Sequence, residues 1–561
     1  MNVENLLSPS STDDLATDDG PESSRPAKKP KLAQSPRDAS DPYALDGLQT
    51  AARSASTVPS TGSPAAAARS SFGCHVDPYE RDPELTLYYL DKYFCEIDRR
   101  AYCLVPRPAF LHWVTSCTTK SIFDKMLLYA MMAIGAVRAR RPGAGAHRAI
   151  FANIAEEEMA QCSGVFNLQV VQTRLVLAMF SFTQGEHNKA WDLCGSTLRA
   201  AYGMQFNTEE GVNKFGPPEK FDYDLDKATL IESRRRTFWS AYLMDAFSPG
   251  SSATLTTVNR SDCPLRLPCP EDMFEKGIIP VVPFDFEASH ADDGALNFGL
   301  MAFLIQLATI FSDVLNNINR SKTQAADKYK VSFRIFYEDV KRRLQIWDKI
   351  FRKYLRESSA DPGTDPASGL HIVYHFCAMM LHRYIRHADL DPTLVEMHVQ
   401  EAYRHARRTL EIIQRLSNNE DKDSSHLRFG ASSPLNGFVI ITAVDIITAT
   451  GTMSDLLDDQ SRTMGLVSGG IEALESLMDQ WPSVRQHHDL ITQRVGILLN
   501  ASTSGATRGN MAFYFSKPMQ SLFGPEQDIV YGLPRLQYLR ALGWGDRITS
   551  EADLYQVDAF G

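Results

Sequence analysis

Ser233-Arg-Arg-Arg-Thr-Phe-Trp-Ser-Ala-Tyr-Leu-Met-Asp245, with Ser261-Asp-Cys-Pro-Leu-Arg-Leu-Pro268 shortly after it, decides how this chain is read. Phe238 and Tyr242 stand four residues apart, as do Trp239 and Leu243. Residues four apart are neighbours on one helix face, so the segment reads as a helix with buried aromatic faces and a basic triplet near its start. Charges beside an aromatic face usually serve packing. Arg234, Arg235 and Arg236 are therefore expected in buried or interface ion pairs rather than on nucleic acid. The second stretch, punctuated by Pro264 and Pro268, reads as extended chain.

The helical period recurs on both sides. Leu87, Leu90, Phe94 and Ile97 form one stripe of a helix over 84–98, and residues 124–138 are apolar nearly all round, the mark of a central buried helix. Pro106 and Pro108 are expected to break the chain before Phe110-Leu-His-Trp-Val114. Asn167 is placed to cap a helix carrying Val171, Leu175, Ala178 and Phe182, with Gly185 near its end. A second helix over 189–202 follows closely, which predicts an antiparallel hairpin. Pro217-Pro218 and the stretch 221–226 read as a loop. Further helices are expected near 294–319, 328–355, 369–386, 393–417, 436–450 and 466–480, with mobile surface loops at 358–366 and 417–425. There is no strand alternation and no repeat of fixed period, so the fold class is all-α.

Residues 1–75 differ in kind. Ser, Ala, Pro and Gly make up about half of them and bulky apolar residues are sparse, so this segment is expected to be a disordered tail. Within it Arg25-Pro-Ala-Lys-Lys-Pro-Lys-Leu32 offers Lys28, Lys29 and Lys31 on proline-flanked chain, which suits a nuclear import signal. The net charge of −10 argues against a broadly basic, nucleic-acid-coating surface. Nine scattered cysteines in 561 residues suit a reducing compartment. The N-terminus lacks the regions of a signal peptide. Pro434 to Met453, the best membrane candidate, contains Asp445 and several Thr, Asn and Gly residues and reads as a buried core helix. A soluble intracellular protein is expected.

The stretch 233–245, with Arg234, Arg235, Arg236, Phe238, Trp239, Tyr242 and Asp245, resembles the signature of the middle homology region of fungal binuclear zinc-cluster transcription factors. Asp262, Pro264 and Pro268 are similar to the acidic-to-proline segment of that family. Leu87 to Phe94, Leu104 to Phe110, Asn167 to Phe206 (with Trp191, Gly195 and Tyr202-Gly203) and Ser433 to Phe438 extend the resemblance from about residue 80 to at least 450. Two places depart from the pattern. Ala246 stands where the family usually has arginine, and Ser248 to Thr257 replace a short Gly-Arg-Pro loop. The resemblance divides the chain into the tail 1–75, a middle homology core 76–290 and a helical continuation of the regulatory domain 291–561.

It implies a nuclear regulator of RNA polymerase II genes, in a family that often governs nutrient-use or secondary-metabolite genes. The family's DNA reader encloses two zinc ions with six closely spaced thiolates. Here no cysteine precedes Cys74 and no C-x2-C occurs, so no zinc cofactor of that kind is expected. An incomplete reading frame, a shortened paralogue and a co-regulator borrowing a partner's DNA-binding domain all account for this. The last implies a homodimer or heterodimer with a DNA-binding regulator, indirect contact with promoter DNA, response to a small-molecule effector and no membrane. The alternative is a helical small-molecule-binding protein or enzyme sharing the fold, with Met- and Phe-rich segments lining a pocket.

Other motifs carry less. Cys263 and Cys269 lack nearby histidines and read as core cysteines. Arg138-Ala-Arg140-Arg141 reads as a helix C-terminal cap and Lys341-Arg342-Arg343 as the solvated side of an amphipathic helix. His387 and Asp391 have the H-x-x-x-D spacing of some acyltransferases, without a second catalytic signature. No phosphate loop, nucleophile elbow or H-E-x-x-H occurs, and Gly143-Ala-Gly145 lacks the third glycine of a dinucleotide site. No catalytic, cofactor-binding or metal residue is assigned, and no enzyme activity is expected.

Overall fold

The computed structural model describes residues 74–95, 102–139, 141–216, 221–247, 256–286, 298–321, 323–357, 365–386, 389–418, 435–448 and 457–478, with a few positions near 484–492. Lys28, Lys29, Lys31 and Ile97 lie outside the described residues. Among those described, the chain forms helices and no strand.

The first group is α1 (Pro78–Arg81), α2 (Pro83–Tyr93), α3 (Arg107–Ser116), α4 (Ile122–Arg138), α5 (Ala144–Gln161), α6 (Leu168–Gln184), α7 (His187–Gly203) and α8 (Glu209–Val212). The apolar α4 lies against α2, α5 and α6. Its close approach to α2 depends on Gly135, where a Cβ would stand 2.0 Å from the Tyr89 carbonyl oxygen. Asn167 caps α6 by accepting from Val170 N, and Gly185 ends it in the left-handed region at φ 79°. Helices α6 and α7 then pack together as the hairpin the spacing predicts.

Two local expectations are corrected and two local features are added. The buried stripe of α2 is Leu85, Tyr89, Leu90, Tyr93 and Phe94, while Leu87 is half-buried at its flank. Residue Pro108 does not break the chain, because it sits in the first turn of α3, where a missing N–H costs no helical hydrogen bond. The sequence reading passed over α5, whose buried set of Ala144, Ile150, Phe151, Ala152 and Ala155 is too thin to dominate its pattern. Within 221–226, the short 3-10 turn Asp222–Asp224 holds Tyr223 at φ 59°, buried with its hydroxyl donating to Gln172 Oε1 at 2.6 Å.

Next come α9 (Lys227–Phe247), α10 (Glu271–Glu275), α11 (Leu300–Ser321), α12 (Ala326–Glu357), α13 (Asp365–Arg383), α14 (Pro392–Asn418), α15 (Leu435–Thr448) and α16 (Leu457–Met478). The quoted signature is α9, buried on every side from Glu232 to Ala246. It packs on α6, α7, α8 and α11. Glu271 accepts from the amides of Leu300 and Met301, both at 3.0 Å, so the carboxylate of α10 neutralises the N-terminus of α11. Gly299 leaves room for it, since a Cβ there would meet Glu271 Oε2 at 2.4 Å. Among the described residues α11 is the one helix long and apolar enough to cross a membrane, and 72% of its apolar window is buried inside the protein. Helix α13 pairs with α14 and α14 packs on α15 and α16. One continuous apolar core runs through both groups of helices.

Candidate functional site

Two places concentrate polar side chains inside this apolar framework. The first is the arginine centre of α9. Glu232, buried one turn ahead of the triplet, accepts from Arg235 Nη1, from Arg236 Nε at 3.0 Å and from the Cys269 amide at 3.0 Å. Arg235 also forms a two-pronged pair with Glu209 of α8, at 3.1 and 3.0 Å, and Glu209 accepts from the Arg266 amide at 2.9 Å. Arg236, fully buried, donates to the Cys269 carbonyl at 2.5 Å and stacks over Phe274 at 4.4 Å. Arg234 donates to the carbonyls of Val212 and Lys214 and lies over Phe215. All three guanidinium groups thus bond inside the fold, with Arg234 Nε left buried and unpartnered, and they tie α9 to α8 and to the extended run after Cys263.

The same run receives the aromatic face. Trp239 Nε1 donates to the Arg266 carbonyl at 2.8 Å, and Leu265, Leu267 and Cys269 are buried on alternate positions. Pro268 is buried, while Asp262 and Pro264 are exposed and enter through their carbonyls, which accept from Asn207 Nδ2 and the Glu209 amide. Phe238 packs edge-on against Tyr202, and Tyr242 meets Thr309 of α11 at 2.9 Å. Asp245 closes the helix by accepting from the amides of Thr257 and Val258. Burial pushes its carboxyl above the usual range, against the pull of those hydrogen bonds. A cavity of about 560 Å³ opens beside this region, lined by Arg260, Cys263, Phe286, Thr309, Asp313 and Arg343 among others. Arg343 is therefore not on the solvated side of its helix. It turns inward and donates to Asp313 of α11 at 2.7 Å, while Arg342 stays exposed.

The second place is a groove of about 1070 Å³ between α12, α13 and α14. His371, His375 and His382 lie along one side of α13, and His398, Glu401 and His405 along the facing side of α14. Two imidazole pairs join the helices: His375 Nδ1 to His405 Nδ1 at 2.7 Å and His382 Nδ1 to His398 Nδ1 at 2.8 Å. Burial and neighbouring imidazole and arginine groups push His375 and His382 well below the ordinary histidine range. Burial brings His398 and His405 to about 4. The rings are neutral at pH 7, so each contact joins one N–H donor to one lone pair. The sequence reading missed this cluster. Its signal was there, since 375 to 382 and 398 to 405 are both seven-residue steps that return to one helix face.

The remaining expectations fall away from both places. His387 lies outside the described residues, and Asp391 is exposed and accepts from the Thr393 amide at the start of α14. Cys263 and Cys269 are buried free thiols. Both cavities have mixed linings: Phe284, Phe286 and Trp347 stand beside charged groups in the first and Met397 and Leu381 beside imidazoles in the second, whereas Met379, Met380 and Phe376 belong to the core.

With the arginine centre described, comparison with known proteins is direct. The fungal specific transcription factor domain family matches residues 90–342, which contain all of α9 and its partners. Those residues, somewhat under half of the chain, are similar to a fungal specific transcription factor domain. Its relatives include an uncharacterized transcriptional regulatory protein of Schizosaccharomyces pombe, 28% identical over 208 residues, 35% of this chain and 20% of the relative. A Zn(2)-C6 fungal-type transcription factor of Fusarium oxysporum, FTF1c, is 21% identical over 258 residues, 42% of this chain and 26% of its own length. The azaphilone cluster-specific transcription factor azaR of Aspergillus niger is 28% identical over 164 residues, 28% of this chain and 34% of its own. These matches span a fifth to a third of the relatives' lengths. No solved structure matches the chain. The match ends within α12, so the histidine groove lies for the most part beyond the matched residues.

Proposed function

We propose that this chain is a nuclear regulator of RNA polymerase II genes, working through its helical domain and reaching promoter DNA by way of a partner's DNA-binding domain. The observation that carries the reading is the transcription factor domain over 90–342, whose signature helix forms the centre of the fold. The partner is supported by chemistry: the triplet Arg234–Arg236 is consumed by Glu232, Glu209 and backbone carbonyls, leaving no phosphate contact to it. A secondary-metabolite gene set is favoured by the names of azaR and of the pigment biosynthesis activator pigB of Monascus ruber. The cavity beside α9 suits a small effector, since a molecule there would touch both Arg260, which lies over Trp239, and Thr309, which bonds Tyr242. Chromatin immunoprecipitation of the tagged protein, with sequencing, tests the reading. Discrete promoter peaks that share a motif are expected. A well-expressed protein that recovers no enriched promoters would exclude it.

A further inference from the structure

The histidine groove stands apart from the arginine centre, and its donor atoms have a chemistry of their own. His382, Glu401 and His405 each bring one ligating atom to within 4.8 Å of the other two. One of these pairs, His405 Nε2 and Glu401 Oε2, stands 3.7 Å apart. A tetrahedral zinc ion with bonds of about 2.1 Å separates its ligand atoms by about 3.4 Å, so the set must contract by up to about 1.4 Å. Glu401, half-exposed at the groove's edge, has the side-chain length to do so.

The outer contacts engage the Nδ1 atoms of both rings and leave their Nε2 atoms available to a metal. His405 presents Nε2 because its Nδ1 is held by His375, and His382 has Nε2 left to offer because its Nδ1 is held by His398. An imidazole that donates Nδ1–H to a fixed acceptor carries its lone pair on Nε2, the arrangement found around metal-binding histidines. His398 in turn is fully buried with Nε2 lacking any hydrogen-bond partner, an uncompensated cost for a residue that serves packing alone.

A cation already stands at this point. Arg404 Nη2 donates to Glu401 Oε2 and lies 3.5 Å from His405 Nε2. Its side chain is 67% exposed, so it can swing out to solvent at little cost. We propose that His382, Glu401 and His405 bind a divalent cation of the zinc class in place of the Arg404 guanidinium, cross-linking α13 to α14 at the wall of the groove. Two imidazoles and one carboxylate suit zinc, cobalt or nickel and leave a coordination position toward the groove. The site is independent of the regulator reading and holds or fails without it.

The test is calorimetric titration of the untagged full chain with zinc chloride, after removal of metal with a chelator, together with the visible spectrum of the cobalt-loaded protein. One tight equivalent is expected, with cobalt bands of a tetrahedral nitrogen and oxygen set and no thiolate charge-transfer band. Glu401→Gln and His405→Gln should each weaken binding by at least ~10-fold, and His398→Gln, which removes an outer support, by ~10-fold. Because histidine variants of a buried cluster can misfold, Arg404→Gln at the exposed edge provides the decisive comparison. It removes the competing cation and should tighten zinc several-fold. Unchanged affinity in both Arg404→Gln and Glu401→Gln, or a thiolate band in the cobalt spectrum, would overturn the proposal.

Discussion

At the scale of single residues, Glu232 organises the centre of the domain. Its buried carboxylate meets two guanidinium groups and a backbone amide. Removing one partner of such a set leaves a charge buried without compensation, which typically costs about 3–5 kcal/mol. Glu232→Gln should lower the free energy of unfolding by about that amount, read from urea denaturation followed by tryptophan fluorescence. Adding Arg236→Met removes the orphaned charge as well, so the double variant should recover part of the loss. A loss below ~1 kcal/mol in the single variant would mean that water reaches this carboxylate. The arginine triplet itself was legible in the sequence as structural charge, because it is flanked by Phe238 and Trp239. Its partners were not. Glu209 lies far along the chain from Arg235, and only the folded path of α8 brings the two together.

At the scale of elements, the pairing of α13 with α14 has a pH dependence written into it. Four histidines join the two helices, and all four have folded-state values below the ordinary 6.5. The groups facing them include the cations Lys341, Arg404 and Arg408, the carboxylate Glu401 and the imidazole of His371. An unfolded chain takes up these protons near pH 6.5, whereas the folded one resists them down to about 4. Between those values the unfolded state binds more protons, so stability is full above pH 6.5 and falls as the pH drops toward 4. The melting temperature of the metal-free protein should decrease steadily across that window. In a His382→Phe, His398→Leu variant, which replaces one imidazole pair by apolar groups, the slope should be shallower. An identical slope in the variant would place the titrating groups elsewhere. Helix boundaries here were readable, since α12, α13 and α14 run close to the segments their periodicity predicts. Which faces meet was not, because a one-turn sliding of α14 would leave the same pattern and bring different histidines together.

At the scale of the whole molecule, the helices before and after residue 290 share one core. Helix α11 buries fourteen of its residues, among them Phe303, Ile305, Leu307 and Phe311, and receives Tyr242 of the signature helix. Large apolar side chains contribute about 1.5–3 kcal/mol each when buried, so losing this face removes more than the roughly 5–15 kcal/mol that holds a typical domain together. A fragment comprising residues 74–290 should therefore fail to reach a native state. It should bind a hydrophobic dye and unfold without a sharp transition, whereas a cooperative melt with native near-ultraviolet dichroism would mean that the first group of helices folds alone. By itself the sequence determined the all-α class, the hairpin of α6 and α7 with its Asn167 and Gly185 caps, and the buried aromatic character of α9. These are local properties, set by helical period and by backbone preferences that act within a few residues. The tertiary structure decided the rest: which carboxylates neutralise Arg235 and Arg236, that Glu271 caps α11, that Pro108 begins a helix, and that two histidine pairs face each other across a groove. Such contacts join residues far apart in the chain, and packing the shared core selects them where local preference cannot.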